Sequence, residues 1–139
     1  MFKRILLPID LSDKHDQAVE YAANLAGPHG GEVVLIHIVE VIAGIPMEEE
    51  KPFYNRLEKA AQAHLAKLGD RLKRSNVAWR AKIFIGQRVP EIIRHAQEMK
   101  ADLIVLTSPP IDPNNVLGGL GSMSYKVGLF APCPVLLVK

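Results

Sequence analysis

The chain has 139 residues, 48% of them hydrophobic, with 17 basic and 15 acidic side chains and a formal charge of +2. That length fits one domain, able to bury roughly two thirds of the surface of its unfolded chain without disulfide or metal staples. A charge so near balance argues against an electrostatic nucleic-acid binder, and a single cysteine, Cys133, leaves no internal disulfide and no Cys-based zinc site. The nearest approach to a basic patch, Lys67, Arg71, Lys73 and Arg74, alternates with apolar positions and reads as the solvated face of a helix. Sparse cysteine suits a reducing compartment. Residues 1–8 hold too short an apolar segment for a signal peptide, and no run approaches the ~20 residues that span a bilayer. A soluble, cytoplasmic protein is expected.

A first strand is predicted over 3–8, its unbroken Ile5-Leu6-Leu7 pointing to the middle of a sheet covered on both sides. Asp10 follows, a carboxylate at the carboxyl end of a central strand, with a cap or turn acceptor as its plainer role. Ser12 or Asp13 is placed to cap a helix on which Ala18, Tyr21, Ala22, Leu25 and Ala26 recur at helical spacing. A second buried strand runs over 32–39. Its His37 reads as a satisfied core residue rather than a ligand. From Glu40 to about Pro52 the pattern lapses into a mobile loop, a candidate lid. A helix is expected over 53–74, with Leu57, Ala61, His64 or Leu65, Leu68 and Leu72 as its apolar stripe.

Residues 77–85 alternate in the manner of a half-exposed strand near a sheet edge, and a third helix begins around Pro90 with Val89, Ile92, Ile93, Ala96 and Met99 on one face. A buried strand over 102–107 leads into a loop that ends in Gly118-Gly119-Leu120-Gly121, and Ser122 opens a fourth helix to about Phe130. A last strand follows Pro132 and Pro134. The order βαβαβαβαβ argues for five parallel strands with helices on both faces. The carboxyl ends of the first and fourth strands then adjoin where the winding reverses, which brings Asp10 and the 107–122 loop to one crevice.

Glycines before a helix start let backbone N–H groups approach an anion, and the first turn adds unpaired amides and the positive end of the helix dipole. A phosphorylated ligand is one reading of Gly118 to Ser122. A tight turn followed by an ordinary N-cap is the other. Stronger motifs are absent: there is no G-x4-G-K-[ST] loop, no G-x-G-x-x-G fingerprint, no G-x-S-x-G elbow and no H-E-x-x-H helix. Nothing resembles an acid/base pair tuned for hydrolysis. Cys133 reads as packing rather than redox chemistry.

Over its full length the chain resembles the universal stress protein family. The resemblance rests on Ile5-Leu6-Leu7-Pro8-Ile9-Asp10, on Leu35-Ile36-His37-Ile38-Val39, on Ala101-Asp102-Leu103-Ile104-Val105-Leu106 and on Gly121-Ser122 with Ala131-Pro132-Cys133-Pro134-Val135-Leu136-Leu137-Val138. It implies a single-domain, open, doubly wound five-stranded parallel sheet in the order 3-2-1-4-5, of the adenine-nucleotide alpha-hydrolase-like type. It also implies a homodimer joined through the last strand, from Pro132 to Val138, and a site for ATP, with or without Mg2+, built on the pattern G-x2-G-x9-G-[ST]. The chain keeps Gly121 and Ser122 of that pattern, whereas its first two glycines are missing and Pro109, Pro110 and Pro113 remove N–H donors from the loop.

Carried over residue by residue, Pro8, Ile9 and Asp10 border the adenine and ribose, with the Asp10 carboxylate accepting from a sugar hydroxyl. Ile38 or Val39 meets the base through backbone groups, and Leu106 and Thr107 line the crevice. Gly121, Ser122 and Met123 hold phosphates by their amides, and Ser124 adds its hydroxyl. The expected activity is nucleotide-dependent signalling in the cytoplasm without enzymatic turnover, beyond slow incidental ATP hydrolysis or autophosphorylation. The alternative is a family member that has lost its nucleotide and acts as a dimeric scaffold. An adenylating enzyme is disfavoured because no Ser-Gly-Gly loop follows the first strand.

Overall fold

The computed structural model describes residues 1–139, apart from the side chain of Val116. Five strands, β1 (Arg4–Pro8), β2 (Glu32–Val39), β3 (Ala78–Ile85), β4 (Leu103–Thr107) and β5 (Val135–Val138), alternate with four helices, α1 (Asp16–Ala26), α2 (Lys51–Arg74), α3 (Arg88–Glu98) and α4 (Met123–Phe130). All strand pairs are parallel and the sheet order is β3-β2-β1-β4-β5. This is the order the sequence led one to expect, with β1 and β4 side by side at the point where the winding reverses.

The two-sided burial of the apolar runs divides residue by residue. Ile5, Leu7, Val33, Leu35, Leu103 and Val105 turn to one face, where Ala18, Ala22 and Ala26 of α1 and Leu65, Leu68 and Leu72 of α2 cover them. Leu6, Val34, Ile36, Ile38, Ile104 and Leu106 turn to the other, beneath Ile92 and Ala96 of α3 and Val127 of α4. A strand alternates its side chains between faces, so an unbroken apolar run is what a doubly covered sheet requires. Where α2 crosses β3, a Cβ at Gly69 would lie 2.3 Å from the Trp79 ring, so this mid-helix glycine is the space the indole occupies. At Gly31 the neighbours are backbone: a Cβ there would stand 2.6 Å from the Phe2 carbonyl oxygen and 3.0 Å from Lys3 Cα.

The start of β1 is fastened by Asp102, whose carboxylate accepts from the Lys3 amide at 2.7 Å and the Arg4 amide at 3.1 Å. These amides lie at the tip of the central strand, and charge-assisted bonds of this kind are the stronger class. Asp102→Ala is therefore expected to cost about 1–2 kcal/mol in urea denaturation, with Asp102→Asn, which keeps one acceptor oxygen, losing about half as much.

Three helix starts differ from expectation, α2 opening at Lys51, two residues ahead of Phe53, with Pro52 in its first turn. Helix α1 starts at Asp16, and its N-cap is His15, which makes no side-chain capping bond, rather than Ser12 or Asp13. The reason is that Ser12 is drawn into a turn closed by Asp10, which accepts from the Ser12 amide at 2.8 Å. Helix α3 starts at Arg88, two residues before Pro90; proline is tolerated in a first turn because amides there lack intrahelical partners anyway. The 40–50 connection, expected to be a mobile loop, is tied to the body at its middle. Buried Tyr54 accepts from the Ile42 amide at 3.1 Å and donates from its hydroxyl to the Ile45 carbonyl.

Candidate functional site

The site is built at the carboxyl ends of β1 and β4. Asp10 Oδ1 accepts from the Ser12 amide and also from His15 Nε2, at 2.7 Å. The other ring nitrogen, Nδ1, stands 2.9 Å from Thr107 Oγ1, so His15 bridges the loop after β1 to the last residue of β4. An ionised carboxylate only accepts, which puts a proton on Nε2 toward Asp10 Oδ1; the Asp10 amide nitrogen also lies 3.2 Å from Nε2, and the Thr107 hydroxyl faces Nδ1. His15 is buried, whereas the Asp10 side chain is 56% exposed. Partial burial alone raises the Asp10 carboxyl, but the hydrogen bonds from Ser12 and His15 outweigh it and hold the group well below the usual carboxylate range. Asp10 is thus a fixed, ionised acceptor at the rim of the crevice.

The other group of expected residues lies at the start of α4. Ser122 caps the helix, its Oγ accepting from the Tyr125 amide at 3.2 Å, and the first intrahelical bond runs from the Lys126 amide to the Ser122 carbonyl at 3.2 Å. The Met123 and Ser124 amides precede that bond and have no partner within the helix. The two readings of the glycine-rich loop divide here. A Cβ at Gly118 would meet the Asn115 side chain at 2.8 Å and one at Gly119 would meet Ile111 at 2.7 Å, so these two glycines lie against side chains of the turn, whose ends would have to shift to admit a larger residue. Gly121 is different: its φ is not positive, and a Cβ would meet nothing within 4 Å. The fold places no demand for glycine at 121.

Gly121, Met123 and Lys126 border a cavity of about 550 Å³ with Glu40, Gln87, Arg88 and Val89, in which Arg88 Nε and Glu40 Oε1 pair at 3.0 Å. Ile38, Leu106 and Met123 share the core of that face, and Ser124 is buried on α4. Leu106 therefore packs on the α4 face of the sheet while Thr107 meets His15, so the end of β4 carries a contact to each group; Asp10 is not among the residues that line the cavity at α4. Pro8 and Val39 are buried at the ends of their strands. Ile9 has its side chain in the core beneath α1, its amide bonded to the Ile36 carbonyl at 2.8 Å and its carbonyl accepting from His37 Nδ1 at 2.7 Å. His37 is thus a satisfied residue, as its apolar setting suggested.

Sequence reasoning missed His15, Arg88, Glu40 and Lys126. For His15 the one usable signal was its place between a strand-end carboxylate and a helix start. Among the described residues no group of three or more His, Cys, Asp or Glu side chains is arranged for a metal ion, and no helix is long and apolar enough to cross a membrane. Cys133 packs against the α3 and α4 core; burial, and then the charge of Asp102, push its thiol up, which suits packing rather than reactivity.

A second histidine, outside the crevice, carries a pH dependence. His95 is buried with its ring stacked on Phe84, centroids 3.6 Å apart, among Arg94, Glu91, Glu98 and Lys82. Burial first, and then Arg94 and Lys82, lower its pKa against the opposing pull of Glu98 and Glu91. Between that lowered value and the ordinary 6.5 the unfolded chain binds more protons than the folded one, so stability rises with pH through this window. Urea midpoints are expected to fall on acidification below pH 6.5, and His95→Phe, which keeps a ring against Phe84, is expected to flatten that slope.

Comparison with known proteins accords with this fold. A universal stress protein from Thermus aquaticus is 36% identical over 144 residues, covering all of both chains. The solved structure of the hypothetical protein MJ0577 superposes with a TM-score of 0.84 at 26% identity, covering 100% of this chain and 96% of that one. The universal stress protein from Archaeoglobus fulgidus, solved in complex with dAMP, superposes with a TM-score of 0.73 at 21% identity over 100% of both chains. The family model described as universal stress protein family matches residues 1–139, and the chain belongs to that family.

Proposed function

We propose that this protein binds an adenine nucleotide, ATP in the first instance, in the crevice between Asp10 and the start of α4, and signals through its occupancy in the cytoplasm. The observation that carries the reading is Gly121: a glycine the fold does not need, next to the free amides of Met123 and Ser124 and beside the cations of Arg88 and Lys126. That is the chemistry of a phosphate seat, with Mg2+ arriving on the phosphates. The family and the dAMP-bound neighbour from Archaeoglobus fulgidus support an adenine ligand. Asp10 serves the sugar, and Ile38 and Val39 the base. No side chain here is set to activate water, so turnover is at most slow. Titration calorimetry with ATP and Mg2+ at about 0.1 mM protein tests this; no heat there rejects it, since a site with a dissociation constant of that size still registers.

The active unit is a homodimer through β5. Leu137 on that edge strand and Leu129 and Phe130 at the end of α4 are exposed, and an open apolar edge invites pairing with its twin. A monomer by light scattering at micromolar concentration rejects it. A second reading, a partner-binding scaffold without nucleotide, draws on the prolines at 109, 110 and 113. Mass spectrometry under denaturing conditions discriminates: co-purified ATP, ADP or AMP rejects the scaffold.

A further inference from the structure

We propose that His15 is a positioning residue that orients the Asp10 carboxylate toward a ribose hydroxyl and thereby sets a preference for ribonucleotides over their deoxy forms. The inference rests on the nucleotide reading above. Its warrant is the geometry of one buried ring with both nitrogens engaged: Nε2 on Asp10 Oδ1 at 2.7 Å and Nδ1 on Thr107 Oγ1 at 2.9 Å. A half-exposed aspartate held by one local bond turns freely about its side-chain torsions. Asp10 has two bonds on the same oxygen, one from the Ser12 amide and one from a ring that is itself pinned to β4. The carboxylate plane is thus fixed against the strand ends, and Oδ2, which takes neither bond, is left to accept from the ligand. A group held by a fixed neighbour binds with less loss of freedom than one that must first be ordered.

Helix α1 does not draw on this arrangement for its cap. His15 stands at the N-cap of α1 without making a capping bond, and its side chain reaches across to another strand instead. An ordinary capping serine or aspartate would serve the helix better. The imidazole gives up that role to hold a carboxylate that is exposed at the crevice.

The test compares dissociation constants for AMP, 2′-deoxy-AMP and 3′-deoxy-AMP in the wild type and in His15→Ala, His15→Gln and His15→Asn. The wild type is expected to favour AMP over at least one deoxy analogue by about tenfold or more, the size of one hydrogen bond to a charged acceptor. In His15→Ala that preference is expected to shrink to about twofold with the deoxy affinity unchanged. Glutamine places a donor where Nε2 was and should restore the preference; asparagine reaches only the Nδ1 position, toward Thr107, and should not. The Gln and Asn pair carries the test on its own if the alanine variant does not fold. Equal losses for AMP and both analogues, restoration by Asn instead of Gln, or a wild type indifferent to the hydroxyls overturns the role of His15 and leaves nucleotide binding standing. A wild type that binds none of the three removes the nucleotide reading, and this inference with it.

Discussion

Gly31→Val is expected to lower stability by about 3 kcal/mol or more, and the melting temperature by about 10 °C, without touching the crevice. The added Cβ would face three backbone neighbours: the Phe2 carbonyl oxygen at 2.6 Å, Lys3 Cα at 3.0 Å and the Ala26 carbonyl oxygen at 3.2 Å. None of these is the end of a flexible side chain that swings aside. Relief requires moving the chain ahead of β1 away from the start of β2, where the Glu32 amide bonds the Lys3 carbonyl at 2.9 Å and the Gly31 amide bonds the Ala26 carbonyl at 2.9 Å. Thermal and urea denaturation measure the loss. A variant as stable as the wild type would mean that this crossing of chains is looser than its distances state.

The same substitution at Gly121 should do the opposite. Gly121→Val meets open space and needs no unusual φ, so its melting temperature is expected to stay within about 2 °C of the wild type. The branched side chain would stand where phosphate oxygens approach the Met123 and Ser124 amides, and ATP affinity is expected to drop about a hundredfold or more. Calorimetry on a variant shown to be folded reads both quantities. Undiminished ATP binding would remove Gly121 from the site. Lost stability would mean that the glycine serves the fold after all.

The fold was legible because its signal is redundant. Four apolar runs and one alternating segment, separated by helical patterns, specify a parallel sheet covered on both faces, and few windings of such a sheet are available. Element ends were less legible where a side chain had a better use than capping. Ser12 is held by Asp10, and His15 turns away to Thr107, a residue 92 positions later that no local pattern can point to. At the crevice, sequence spacing singled out Asp10 and the Gly121-Ser122 helix start, each a local feature. The cations beside the helix start were not legible, because Arg88 and Lys126 belong to different helices and meet only once α3 and α4 are docked. Nor could composition separate Gly121 from Gly118 and Gly119. That distinction depends on whether Ile111 and Asn115 fold back against the backbone, which they do at the first two and not at the third.

The position of β1 bears on how the chain is made. It is the central strand and the first of the five to be synthesised, and it pairs with β2 early, but its other partner, β4, begins 99 positions after Arg4, with Asp102 closing over the strand's tip. On the ribosome, the nascent polypeptide therefore carries a hydrophobic ribbon with one bare flank until most of its length has been translated. Premature termination before residue 102 would release a fragment with that flank permanently open, a natural client for chaperones and proteases.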